Sequence, residues 1–394
     1  PNTGLTTAAF SMADYIERMG TEEQIKRIIP KVLTNEWQTA MALTEPGAGS
    51  DLGALRTTGR KQGDKWIVNG TKQFITNGNA DMVFTLVRSD ASSSGLNGLS
   101  VVIVPNKVGD KSNFRVAKIE DKVCLHASPT CELVFENSEA ELFGKEGEGF
   151  KVMVELMNEA RHAMSGLALG LSVAAYDAAK EYAKTRITMG KPIIQHPMVA
   201  DMLYEMEMEI QGMRALCVES ARAFDWLRVA QGRNDVKAIK KWKKRYRRLT
   251  PLCKYYCSEK VITITRNAVQ IFGGYGVCRD YPVERFYREA IIYPIYEGTS
   301  QIQSLMVLKD TLKDVANQAT GFLGSLAGAW AESKVTRDPV KSAVLRARHQ
   351  LNTGIKTILM SIIRDKFKSD IESLREQKIQ TFLKDFSFSL LSSK

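Results

Sequence analysis

Trp66-Ile67-Val68-Asn69-Gly70-Thr71-Lys72-Gln73-Phe74-Ile75-Thr76-Asn77-Gly78 is the stretch on which the fold turns. Its β-branched and aromatic residues form short strand-like runs, and Asn-Gly pairs punctuate them, which is a hairpin signal. Further strands are expected at Leu99–Val104 and Cys131–Phe135. Before Trp37 and after about Glu146 the texture is helical. Thr21 and Gln24 form a capping box ahead of Ile25, Ile28 and Ile29, with Pro30 limiting that helix. Downstream, helical patterns run from Phe150 to about Tyr176, from Val199 to about Ala230, from Pro251 to Phe272, and onward from Ser300. The last opens with a capping box from Ser300 to Gln303 and carries an apolar stripe at Ile302, Leu305, Met306, Leu308, Leu312 and Val315. Helices, then strands, then helices is an α+β order. The expected division is a helical segment over 1–38, a central antiparallel β-domain over 39–148, a C-terminal four-helix bundle over 149–315, and additional C-terminal helices over 316–394.

Composition sets bounds. A chain of 394 residues with 44% hydrophobic content can bury large cores. Its longest apolar runs, Leu167–Tyr176 and Thr320–Ala331, fall short of the roughly 18 residues that suggest a membrane span. Six cysteines show neither CxxC spacing nor the density of a secreted scaffold, so free thiols in a reducing compartment are expected. Cys253 and Cys257 stand one helical turn apart, but two thiols without nearby histidines make a poor metal site, and no metal is expected. Gly47-Ala48-Gly49-Ser50-Asp51-Leu52-Gly53 imitates a dinucleotide fingerprint. That fingerprint needs a helix to follow, and Thr57–Asn77 reads as antiparallel hairpins instead. The run Lys237–Arg248 holds eight Lys/Arg and no acid, with Trp242 and Tyr246 interleaved, and carries +8 of the net +11. It reads as a solvated inter-helix segment, as a surface for anionic membrane or phosphates, or as a nucleic-acid contact.

Three segments carry chemistry. Ile295-Tyr296-Glu297-Gly298-Thr299-Ser300-Gln301-Ile302-Gln303 sets one carboxylate in an apolar stretch before a helix. Gln270-Ile271-Phe272-Gly273-Gly274-Tyr275-Gly276 is a hydrophobic helix end stopped by glycines, and Ala42-Leu43-Thr44-Glu45-Pro46-Gly47-Ala48-Gly49-Ser50-Asp51 is a glycine turn bearing hydroxyls. Together, in this order and spacing, they resemble the acyl-CoA dehydrogenase family of flavin enzymes, over about Gly20 to Val315. The family places several helices before its strand domain. This chain opens at Pro1 with only the last of them, and so reads as a sequence whose start was lost. Beyond Val315, the Asp338-Pro339 cap and the stripe Ile355, Ile358, Leu359, Ile362 resemble the added helical domain of larger bacterial members, cut short at Lys394.

The resemblance implies FAD as hydride acceptor, since no side chain can accept a hydride. It implies Glu297 as the base that removes the α-proton of an acyl-CoA, with its pKa raised by an apolar enclosure. Its backbone N–H and a flavin hydroxyl would meet the charge on the thioester oxygen. Leu43, Thr44, Phe74 and Thr76 match contacts to the flavin ring; Gln270, Gly273, Gly274, Thr299 and Gln301 match further cofactor contacts. Arg186 resembles the arginine that pairs with the flavin pyrophosphate of a neighbouring subunit, a bidentate role that suits guanidinium. Ser50, Arg161 and Gly298 match positions on the substrate side. Met189, Pro197 and Asn158 depart from what many relatives carry. Implied partners are electron transfer flavoprotein and a second copy, in a homodimer or dimer of dimers. The implied setting is the bacterial cytoplasm, at the periphery of the inner membrane. A DNA-associated flavoprotein of the alkylation response and an acyl-CoA oxidase remain alternatives.

Overall fold

The computed structural model describes residues 12–317 and 319–366, in two compact units that divide between Gln303 and Ser304. The first unit opens with helix α1, over residues 12–19, and α2, Glu22–Leu33. The expected capping box forms: Thr21 Oγ1 accepts from Gln24 N at 3.2 Å, and Gln24 Oε1 accepts from Thr21 N at 3.0 Å. Pro30 does not limit α2, which runs through it to Leu33. The N–H that proline lacks would have bonded the carbonyl of Lys26, and both residues are exposed, so water can take that carbonyl.

Nine strands follow: β1 (Thr39–Ala42), β2 (Thr58–Gln62), β3 (Lys65–Thr76), β4 (Met82–Arg88), β5 (Leu99–Pro105), β6 (Lys107–Val108), β7 (Lys111–Ser112), β8 (Arg115–Ile119) and β9 (Thr130–Phe143). The pairings β4–β2–β3–β9–β5 return to β4, so the sheet closes on itself, with β8 added along β9. The sheet is antiparallel in the main, but β1 and β2 each pair with β4 in parallel, a departure from the wholly antiparallel domain expected. Alternation sorts β4 and β5 between two cores. Phe84, Leu86, Val101 and Ile103 face α1, α2 and the start of the next helix, while Val83, Val87, Val102 and Val104 join Trp66, Val68, Leu133 and Phe135.

Asn69-Gly70 is not a turn. It lies inside β3, where the register against β9 shifts between Val68 and Gly70. Gly70 has φ +146°, and a Cβ there would stand 2.7 Å from Thr57 Cα, so this glycine permits a close crossing of two strands. The β2–β3 hairpin turns one step earlier, at Gly63 with φ +60°.

Three long helices build the bundle: α3 (Gly149–Thr185), α4 (Pro197–Gly232) and α5 (Val236–Phe272), with short strands β10 (Ile187–Thr188) and β11 (Lys191–Pro192) between α3 and α4. Small residues on α3, Ala168, Ala175, Ala179 and Ala183, meet Met206, Ile210 and Met213 of α4 and Val261, Ile264 and Ala268 of α5. The run Lys237–Arg248 is not an inter-helix segment but the first turns of α5. Asp235 caps it, accepting from Ala238 N at 2.9 Å, and Pro251 lies inside the helix rather than at its start. Near this end Trp226 and Trp242 stack at 6.0 Å, and Arg245 pairs with Glu219. Helices α6 (Pro282–Ala290) and α7 (Ser300–Asn317) complete the series.

In the second unit, α8 (Ala319–Val335) and α9 (Pro339–Lys366) form a helical hairpin. Asp338 caps α9 as expected, accepting from Val340 N at 2.9 Å and Lys341 N at 3.1 Å. Ile355 is buried, while the Ile362 side chain and the chain beyond Lys366 lie outside the described residues, as does the stretch before residue 12. No helix among the described residues is long and apolar enough to cross a membrane.

Candidate active site

The expected site residues fall into three local groups. The first surrounds Glu297, on the turn-rich segment between α6 and α7. Glu297 has φ +55° and Gly298 φ +85°, so two successive residues hold the left-handed conformation that an L-residue pays roughly 1–2 kcal/mol to adopt. What keeps them there is a set of side chains gripping the main chain. Arg161 Nε donates to Glu297 O at 3.0 Å, and Gln303 Nε2 donates to Glu297 O at 3.1 Å and Gly298 O at 3.2 Å. Lys254 Nζ, fully buried on α5, donates to Tyr293 O at 2.7 Å and Gly298 O at 2.9 Å. The grips leave the carboxylate alone: among the described residues no donor reaches it. Burial pushes the Glu297 carboxyl above its ordinary range, and the charges of Arg161 and Lys254 pull it partway back. Some Glu297 surface stays accessible although the carboxyl lies deep in the protein. Lys254 is itself brought down to about 8 by burial, with Glu297 opposing the fall.

Thr299, not Ser300, caps α7: its Oγ1 accepts from Ile302 N at 3.3 Å, and the helix already includes Ser300. Gln303 turns back toward the loop carbonyls instead of to a capping residue's N–H. Gln301, on the first turn of α7, is exposed.

The second group lies on the β-domain. Gln73 N donates to Thr44 O at 2.9 Å, and Lys72 Nζ donates to Leu43 O at 2.9 Å, so the segment after β1 runs beside the end of β3. The register between β3 and β9 shifts between Lys72 and Ile75, and there Phe74, at φ +60°, turns outward with 58% of its surface exposed. Such bulges re-aim side chains beside functional sites. Thr76 is exposed too, and Thr44 is half-buried. Glu45 staples this loop: Arg56 N and Thr57 N donate to its carboxylate at 2.7 and 2.9 Å, and buried Lys72 pairs with it at 2.9 Å. Burial works against the Glu45 carboxylate, but Lys72 and the donors outweigh it and hold it below its ordinary range. Ser50 lies exposed just beyond.

The third group is a recess of about 440 Å³ lined by Arg186, Gly273 and Gly274 together with Tyr182, Phe272 and Tyr275. A Cβ on either glycine would meet nothing within 4 Å, so both present bare backbone to open space. The Arg186 guanidinium stands 5.8 Å from the centre of the Tyr275 ring, and Gln270 is exposed one turn before the glycines. Arg186 and the glycine segment are thus walls of one recess in a single chain. Of the departures noted above, Met189 is 94% exposed, Pro197 opens α4, and Asn158 accepts from Arg161 Nη1 at 3.0 Å. Lys254, Lys72, Glu45 and Gln303 were not anticipated, although Lys254 falls on a helix face whose neighbours Thr250, Pro251, Cys257 and Ser258 are all buried.

Two family profiles match this chain: the acyl-CoA dehydrogenase middle domain over residues 40–138, and the acyl-CoA dehydrogenase C-terminal domain over residues 147–312. An acyl-CoA dehydrogenase of Bacillus subtilis is 37% identical over 293 residues, which are 74% of this chain and 72% of that protein. Cyclohexane-1-carbonyl-CoA dehydrogenase of Geobacter metallireducens is 33% identical over 300 residues, 75% of this chain and 74% of that one. Among solved structures, butyryl-CoA dehydrogenase from Megasphaera elsdenii is similar with a TM-score of 0.68 and 32% identity, over 77% of this chain and 76% of the other. The chain belongs to the acyl-CoA dehydrogenase family, oxidoreductases acting on CH–CH donors. Membership implies a flavin cofactor and an acyl-CoA substrate.

Proposed function

We propose that this protein catalyses the FAD-dependent α,β-dehydrogenation of a fatty acyl-CoA to the trans-2-enoyl-CoA, with Glu297 as the base. The observation that carries this reading is a deeply placed carboxyl, free of donors, on a left-handed backbone whose carbonyls are held by Arg161, Lys254 and Gln303. Such a group is fixed in position and raised toward the pH at which it accepts protons best. It takes the α-proton as the Cα–H pair becomes the new double bond. The charge developing on the thioester oxygen meets the Glu297 N–H, which no backbone carbonyl among the described residues accepts. Bound FAD would supply the acceptor for the Cβ hydride.

The residues present fit that cofactor. The exposed Phe74 ring and Thr76, with Thr44 on the neighbouring segment, suit the flat flavin ring, and Arg186 beside bare Gly273–Gly274 backbone suits a pyrophosphate. Ser50 and Arg161 are assigned to the coenzyme A end and Gly298 to the acyl end, with Thr299, Gln301, Gln270 and Leu43 supporting the flavin. Cyclohexanecarbonyl, acryloyl and butyryl groups stand in relatives' names, so a fatty acyl chain is the finer part of the proposal. Electron transfer flavoprotein as acceptor, a homodimer or dimer of dimers, and a cytoplasmic setting beside the inner membrane belong to the same reading.

Glu297→Gln tests it. The variant keeps side-chain volume and should bind FAD and acyl-CoA, while flavin reduction followed anaerobically by stopped flow falls by roughly 10²–10⁴-fold. A rate within tenfold of the parent at saturating substrate removes Glu297 from the role. Hydrogen peroxide formed in step with turnover in air would assign the oxidase chemistry instead.

A further inference from the structure

The sequence shows Cys253 and Cys257 one turn apart on α5; the fold adds a third thiol. Cys217 of α4 brings its Sγ to 3.7 Å from Cys253 Sγ and 3.8 Å from Cys257 Sγ, and all three sulfurs lie within 4.8 Å of one another. Thiolates bound tetrahedrally to zinc at ~2.3 Å sit about 3.8 Å apart. Two of the three separations therefore already match a metal-bound arrangement, without backbone movement. Cys253 and Cys257 are fully buried and Cys217 is half-buried, so the cluster has one side open to entry.

Three thiols from two facing helices supply three of the four donors of a structural zinc site.

We propose that Cys217, Cys253 and Cys257 bind one zinc(II) ion. Binding exchanges the thiol protons for the metal, so uptake releases protons and strengthens with pH. The ion would cross-link α4 and α5, and Cys253 immediately precedes Lys254, which grips the Glu297 loop. This assignment does not depend on which acyl-CoA the enzyme takes.

The test uses the whole chain, reduced and stripped of metal, titrated with zinc(II) by equilibrium dialysis and with cadmium(II) for its ultraviolet thiolate charge-transfer band. The expected result is one tight equivalent per chain and a cadmium band. Affinity should fall at least tenfold in Cys217→Ser and hold in Cys278→Ser, whose exposed thiol lies outside the cluster. Less than one equivalent, or unchanged affinity in Cys217→Ser, overturns the proposal. X-ray absorption at the zinc edge of the unsubstituted protein decides without any variant: three sulfur neighbours support the site, and two or fewer refute it.

Discussion

Lys254→Met would probe the grip on the Glu297 loop most directly. At neutral pH the buried ammonium makes two hydrogen bonds, to Tyr293 O and Gly298 O. Charged hydrogen bonds contribute roughly 1.5–3 kcal/mol each, so their loss costs about 3–6 kcal/mol. Against this, a lysine held at about 8 rather than 10.5 bears a burial penalty on its charge, and that penalty, ~3 kcal/mol, disappears with the substitution. The net expectation is a loss of up to about 3 kcal/mol in urea unfolding at pH 7. The pH dependence carries a sign that packing alone would not produce. Between about 8 and 10.5 the folded parent has released the Lys254 proton that its unfolded chain still holds, so this group adds stability as pH rises. The gap between parent and variant should therefore widen across that window. In the same variant Glu297 loses one of the two charges that pull its pKa down, so the pH midpoint for flavin reduction should move upward. A gap that stays flat with pH, or an unmoved midpoint, would refute the assignment of Lys254 as a positioning residue.

Three further outcomes follow from the same geometry. Glu45→Gln leaves the Lys72 ammonium buried without its counter-charge and should cost ~3–5 kcal/mol in urea unfolding, against less than 1 if the pair is incidental. Gly70→Ala forces a Cβ to within 2.7 Å of the Thr57 backbone at φ +146°, and should destabilise by more than ~1 kcal/mol, seen as a lowered thermal midpoint. Arg186→Ala should lower FAD retention on gel filtration while far-ultraviolet circular dichroism stays unchanged. Tight FAD binding by a strictly monomeric parent would remove the cross-subunit role.

Local rules were legible where they acted locally. The Thr21–Gln24 box, the Asp338 cap and the strands at Leu99 and Cys131 rest on neighbours a few residues away, and all four form. Prolines and glycines misled where distant contacts decided. Pro30 and Pro251 read as helix limits, yet both helices continue through them, since the α4–α5 and α3–α5 contacts hold α5 whole. Asn69-Gly70 carries turn chemistry, but its glycine serves a crossing with Thr57, thirteen residues earlier in the chain, which no local pattern announces. The motif alone singled out Glu297 as the proposed base. Lys254 was not, because a lysine in a helix ordinarily marks a solvated face, and only the tertiary fold shows that carbonyls of a distant loop wait for its ammonium.

The continuity of α5 gives the protein a built-in distance. One helix of 37 residues carries eight basic residues at its beginning and ends at the glycines that line the Arg186 recess. At 1.5 Å per residue the two ends stand about 50 Å apart. Charge at the basic end therefore stands many screening lengths from the recess in physiological salt. Substitutions among those basic residues should leave the electrostatics of the recess undisturbed.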